Sequence, residues 1–146
     1  MYEKYTRQAL PSKRYRELLG SAICVFNSNA SFIVENLLSA NQTLSWYEII
    51  DWTAGQLPSL IKTTLAFVDI DISDEFKQLC DKRNRIIHSF QVTNNEEQVL
   101  ATKTKNPENN QFIITEEYLL DFIKENESLC DKLYDIRTKI RKAFPA

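Results

Sequence analysis

Tyr15, Leu18, Leu19, Ala22, Phe26, Ala30, Ile33 and Leu37 recur at steps of three and four residues. Only an α-helix brings residues at that spacing onto one face, because a strand buries every second residue. The stripe predicts a helix from about Lys13 to Ser39, broken by "SANQT". The chain has only two glycines and four prolines in 146 residues. Sheets built on tight hairpins usually use more of both, so helix is expected elsewhere as well.

"SWYE" marks the next helix start, with Ser45 as N-cap and Glu48 completing a capping box. Trp46, Ile49, Ile50, Leu57, Leu60, Ile61 and Leu65 supply its apolar face, and Gly55 and Pro58 within it predict a kink or two shorter helices. Ser73 is expected to cap a third helix running to about Phe90, with Asp74 and Glu75 at its positive end. In the polar stretch that follows, "QVLATKT" and "QFII" flank "KNPENN", which fits a β-hairpin or a long loop at about 97–114. The last helix is expected from Thr115, with Leu119, Leu120, Ile123, Leu129, Leu133, Ile136 and Ile140 as its stripe. Arg137, Lys139, Arg141 and Lys142 crowd its C-terminal end, where the helix dipole favours cations. Four main helices predict an all-α, up-down bundle, one domain over 1–146 with an irregular lead-in at 1–12. That architecture alone implies no function.

Hydrophobic residues make up 43% and charged residues 26%, the balance of a folded domain rather than a disordered chain. The net charge of −2 argues against nucleic-acid binding by bulk electrostatics, so any such contact must be local. Cys24, Cys80 and Cys130 are odd in number, widely spaced and on apolar stripes, which suggests reduced thiols packed as small core residues. One histidine and no Cys/His cluster predict no metal site, and no cofactor is called for. "MYEKYTRQALPSKRYRELLG" is too charged for a signal peptide. No segment is expected to reach the ~20 apolar residues of a membrane span, so a cytoplasmic protein without a membrane partner is expected.

The third helix carries the one discordant residue. At about 100° per residue, Phe76, Leu79, Cys80, Ile86, Ile87 and Phe90 share a face, and Arg83 lies at its centre. Burying an unpaired guanidinium is costly, so Arg83 must be paired, reach water or line a polar cleft. Glu35 on the first helix is a candidate partner. Lys77, Asp81, Asn84, His88 and Gln91 form the neighbouring polar face, with Asn84 and His88 one turn apart. Arg83 and His88 are separated by about 140° around the axis, so they cannot share one narrow pocket within a single bundle. They can flank a groove if a partner chain covers this helix.

Arg83-Asn84-Arg85-Ile86-Ile87-His88 resembles the motif of the HEPN family, an arginine and a histidine separated by four to six residues, often with a polar residue directly after the arginine. The layout is similar too, with two long N-terminal helices, the motif on the third and a long C-terminal helix. The resemblance implies a compact helical bundle and, for many members, a metal-independent endoribonuclease that dimerises so that two motifs face one cleft. It implies His88 as general acid/base, Arg83 as phosphate binder and Asn84 as a positioning group. Arg85, Lys82 and Lys77 would hold the RNA backbone, and Glu35 would support Arg83.

The chemistry suits these side chains. Histidine titrates near neutrality and can take or give a proton, while an arginine fork neutralises phosphate oxygens as charge builds. One histidine per chain is too few for a two-proton mechanism, and a homodimer supplies two. The implied setting is a prokaryotic toxin–antitoxin or abortive-infection system, with an antitoxin or nucleotidyltransferase as partner. Some relatives carry a modifiable tyrosine two residues after the histidine; here that position is Phe90. Two other readings compete: a non-catalytic HEPN module that binds a nucleotide or partner protein, and an unrelated helical interaction domain with Arg83 in a buried ion pair.

Overall fold

A computed structural model of the chain describes residues 1–52, 56–104 and 110–145. The elements are α1 (Lys13–Ala40), α2 (Trp46–Ile49), α3 (Leu57–Thr64), α4 (Ser73–Ile87), β1 (Phe90–Asn94), β2 (Glu97–Lys103), β3 (Gln111–Ile114) and α5 (Glu116–Ala143). Among the described residues the fold is therefore mixed, five helices with a three-stranded antiparallel sheet in the order β1-β2-β3, and not the expected all-α bundle.

The sheet occupies the stretch read as a hairpin or loop, but it begins earlier, at Phe90. β1 and β2 pair from Phe90↔Ala101 to Asn94↔Glu97, leaving Asn95 and Glu96 as a two-residue turn. Both have positive φ, 50° and 66°, which is the geometry of a type I′ hairpin. β3 then pairs β2 from Leu100↔Ile114 to Lys103↔Gln111. Tyr15 fastens this sheet to α1. Its hydroxyl donates to the Ile114 carbonyl at 2.6 Å and accepts from the Leu100 N–H at 3.1 Å. Burial raises the Tyr15 pKa, in keeping with a phenol committed to structure.

The helices also depart from up-down order. The Asn29 amide donates to Asn126, and that of Asn36 to the Leu133 carbonyl, both across 97 residues. A constant offset means that α1 and α5 run parallel. α4 runs against them, as the pairs Lys82–Glu125 and Glu75–Lys132 show by converging in number. The region read as the second long helix is split into α2 and α3, the shorter-helix alternative. Pro58 sits in the first turn of α3, where its missing N–H costs nothing. Gly55 lies outside the described residues.

The core is built by Phe26, Ile33, Leu37, Ile61, Phe76, Leu79, Phe122, Leu129, Leu133 and Ile136, all buried. Phe26 stacks on Phe76 and Phe122, with ring centroids at 5.7 and 6.2 Å. Among these apolar groups Asn29, Asn36 and Asn126 are buried, and their hydrogen bonds fix the register of α1 on α5.

α1 reaches the length and hydropathy of a membrane span, contrary to expectation. It is also the helix that carries Asn29 and Asn36 into the core contact with α5, and a core helix passes the same test.

Two capping expectations change. Ser45 precedes α2, but its hydroxyl makes no cap bond; the Glu48 N–H goes instead to the Ser45 carbonyl at 3.1 Å. Ser73 lies inside α4, and Asp71 does the capping. It accepts from the Ser73 N–H at 3.0 Å and from its hydroxyl at 2.7 Å. Those bonds hold the Asp71 carboxyl below its usual range, the backbone N–H contributing most. A group with a lowered folded pKa stabilises the fold above its unfolded pKa and loses that effect as pH falls. Asp71→Ala is accordingly expected to lower the denaturation midpoint at neutral pH. The gap to wild type should close as the solution is acidified through the carboxylate range; a gap that persists undiminished in acid would contradict this cap.

Candidate functional site

The motif occupies the last turn and a half of α4, and the way α4 rolls on the core decides what it exposes. Phe76, Leu79, Cys80 and Ile86 are buried as expected, whereas Ile87 is 50% and Phe90 42% exposed. Phe90 is not on the helix: α4 stops at Ile87, and His88 caps it with its N–H bonded to the Asn84 carbonyl at 2.9 Å. The apolar stripe is thus core at Phe76, Leu79, Cys80 and Ile86 but turns to surface at Ile87. Arg83, half-buried, lies where one passes into the other.

The guanidinium of Arg83 lies over the face of Phe26, its carbon 5.1 Å from the ring centroid. Nε is buried with no hydrogen-bond acceptor. No carboxylate pairs with Arg83 among the described residues. The ring's π-face therefore offsets part of the charge, and the terminal nitrogens have no acceptor among the described residues. Arg83 contributes to a cavity of about 310 Å³ walled by α1, α2, α3 and Trp52, with Asn27 and Ser31 as its polar groups.

Glu35 does not support Arg83. It is exposed and lines separate grooves with Arg137. The reason is axial: Arg83 meets α1 at Phe26, and Glu35 lies nine residues further on, roughly 13 Å along the helix. Arg137 has partners of its own in the rings of Phe32 and Tyr134, at 5.3 and 4.7 Å.

On the wheel of α4, Ile87 and Asn84 fall between Arg83 and His88. Ile87 and His88 are exposed and Asn84 is half-buried, so the sector linking Arg83 to His88 is open to solvent. The remaining basic residues are not equivalent. Lys77 is exposed, without a described partner. Lys82 is held by Glu125 at 2.6 and 2.8 Å, and Arg85 donates to the Lys103 carbonyl at 2.6 Å. The Lys82 pair is roughly two-fifths exposed on both sides, so it adds little stability, but it spends the charge expected to hold RNA.

Sequence reasoning missed two contributors. Phe26, the platform under Arg83, gave no signal because its contact spans 57 residues. Phe112 lines a second cavity of about 390 Å³ with Asp81, Lys82, Asn84, Arg85 and Thr104. Asp81 was visible as one member of the polar face, without a role.

The cysteines divide: Cys80 is buried, Cys130 half-buried and Cys24 exposed rather than core. Burial pushes the Cys80 thiol up to about 12, against a smaller downward pull from Arg83. Its raised pKa stabilises the fold fully below the unfolded value near 9.0, and the effect is lost as pH rises from there toward 12. Iodoacetamide at about pH 8 is expected to label Cys24 in the native protein and Cys80 only after unfolding. Peptide mass mapping checks this; rapid native labelling of Cys80 would contradict the packing of α4.

The chain matches no protein-family model, and no curated protein and no solved structure shows significant similarity to it. The HEPN resemblance accordingly rests on the motif Arg83–His88 alone.

Proposed function

We propose that the chain is a metal-independent endoribonuclease of HEPN type, acting as a homodimer in which two copies of the Arg83–His88 segment line one cleft. The observation that carries this is the state of Arg83. It is held on Phe26, has no carboxylate partner among the described residues, and borders an open sector that runs to His88. Such an arginine suits a ligand phosphate. Ile87, exposed within that sector, gives the second copy an apolar side chain to cover.

In this scheme His88 of one copy removes the ribose 2′-hydroxyl proton, and the 2′-oxygen attacks the adjacent phosphorus. The P–O5′ bond breaks, and His88 of the second copy protonates the leaving oxygen. A 2′,3′-cyclic phosphate and a 5′-hydroxyl result. Arg83 binds the phosphate oxygens throughout, and Asn84, one turn from His88, positions phosphate or imidazole. Arg85 within the motif and the exposed Lys77 on the same helix attract the backbone; Lys82 has the smaller part because Glu125 holds it. The setting is the cytoplasm of a prokaryotic defence or toxin–antitoxin system. Phe90 offers no hydroxyl for nucleotidyl transfer, so restraint by an antitoxin fits better than modification at that position.

The second reading, a non-catalytic module that binds a nucleotide, draws support from the cavities on either side of the motif. The buried ion-pair reading has lost its premise, since Arg83 has no carboxylate among the described residues. Labelled RNA incubated with purified protein and EDTA separates the first two. Cleavage to a cyclic phosphate, lost in both Arg83→Ala and His88→Ala, supports the nuclease. Failure of the wild type to cut any RNA offered favours the binding module.

A further inference from the structure

The second cavity lies between the polar face of α4 and strand β3 and shares Asn84 with the motif. Its polar groups differ in how far the fold has already used them. Lys82 is taken by Glu125, and Arg85 spends one N–H on the Lys103 carbonyl. The side chains of Asp81 and Asn84 have no hydrogen-bond or ion-pair partner among the described residues, and both line this space. Phe112, half-buried, lines the same space and meets Tyr118 at a tilt of 51°, with ring centroids at 5.7 Å. Tyr118 is itself partly buried, which raises its pKa, so the neutral ring backs Phe112.

An aromatic wall facing uncommitted acceptors and donors is a setting in which a planar heterocycle can stack and present its edge. The space, about 390 Å³, leaves ample room for a base. The polar edge is selective in kind. Asp81 offers two acceptor oxygens and no donor. Among the four RNA bases only guanine presents two adjacent N–H donors, N1–H and the 2-amino group, to match a carboxylate; adenine and cytosine present one amino group beside acceptors. An acidic residue here would repel a phosphate, so Asp81 is better placed for a base edge than for the backbone.

We infer that this cavity is a nucleobase subsite that selects guanine, with Phe112 as stacking wall, the Asp81 carboxylate as acceptor for the guanine edge and Asn84 linking the base to the motif. It rests on the nucleic-acid reading of the site, but not on cleavage. The test therefore uses the full chain carrying His88→Ala, which keeps every group of the cavity. The four nucleoside monophosphates are titrated separately, and the Asn84 side-chain amide is followed by nuclear magnetic resonance. Guanosine monophosphate is expected to bind about tenfold more tightly than the other three, the discrimination of one good bidentate contact. Asp81→Asn should erase that preference, and Phe112→Leu, which keeps the apolar packing, should weaken all four. Equal binding of the four nucleotides, a preference that survives Asp81→Asn, or no binding at Asn84 would overturn the inference. The two proposals fail separately: guanine binding without RNA cleavage by wild type leaves the subsite and removes the nuclease, while cleavage without base preference does the reverse.

Discussion

His88→Ala is expected to slow RNA cleavage in EDTA by about two to four orders of magnitude, the range for loss of a positioned general acid or base. The fold should be untouched. His88 is exposed at the C-cap of α4, and the bond that ends the helix comes from its backbone N–H. The effect should fall on turnover rather than binding, because imidazole contributes proton transfer and not charge neutralisation. Arg83→Ala should cost about two to three orders of magnitude, as for removal of a transition-state donor, and should also weaken substrate binding. Arg83→Lys should rescue little, since an ammonium lacks the planar fork and stacks poorly on Phe26. A His88→Ala protein that keeps more than about a tenth of wild-type activity would take His88 out of the chemistry.

Phe26→Ala should have the largest effect on stability, about 3–5 kcal/mol, the range for truncating a buried phenylalanine. Its side chain is almost fully buried and stacks on both Phe76 and Phe122, so the cavity would open where α1, α4 and α5 meet. It also removes the platform under Arg83. Phe26→Leu separates the two roles. It keeps most of the apolar volume, so the fold should survive, but it withdraws the π-face, worth about 1 kcal/mol to a partly buried cation. Urea denaturation reads the first effect and cleavage by the leucine variant the second. Wild-type stability in the alanine variant would contradict the packing, and undiminished cleavage by the leucine variant would deny Phe26 a part in holding Arg83.

The long helices were legible because their apolar stripes keep one period over many turns, so Tyr15 to Leu37 and Leu119 to Ile140 admit one geometry. The sheet was hidden for a local reason. Phe90 continues the helical step from Ile87, so β1 reads as the end of α4, and the turn after it uses Asn95 and Glu96 where a glycine would have marked it. Up-down order failed because it assumes that each link joins neighbouring long helices. Here two short helices connect α1 to α4, and the sheet connects α4 to α5, so α1 and α5 run parallel.

In the candidate site, Arg83 stood out because a charge within an apolar stripe breaks a simple rule. Its true neighbour, Phe26, could not be found the same way, since which turn of α1 faces Arg83 depends on the direction and register of α4. Glu35 shows the cost of guessing that register: it lies nine residues beyond the turn of α1 that meets Arg83. Phe112 and Asp81 come together only because the sheet folds back beside α4.

The proposed composite site requires that two copies of α4 meet along the strip from Arg83 through Ile87 to His88. The solution mass of the full chain at working concentration, by sedimentation equilibrium, addresses it most directly. Twice the chain mass of 17.1 kDa is expected for wild type, and the single chain mass, with cleavage lost and the fold retained, for Ile87→Asp. A strict wild-type monomer, or an Ile87→Asp protein that remains a dimer, would contradict the composite site.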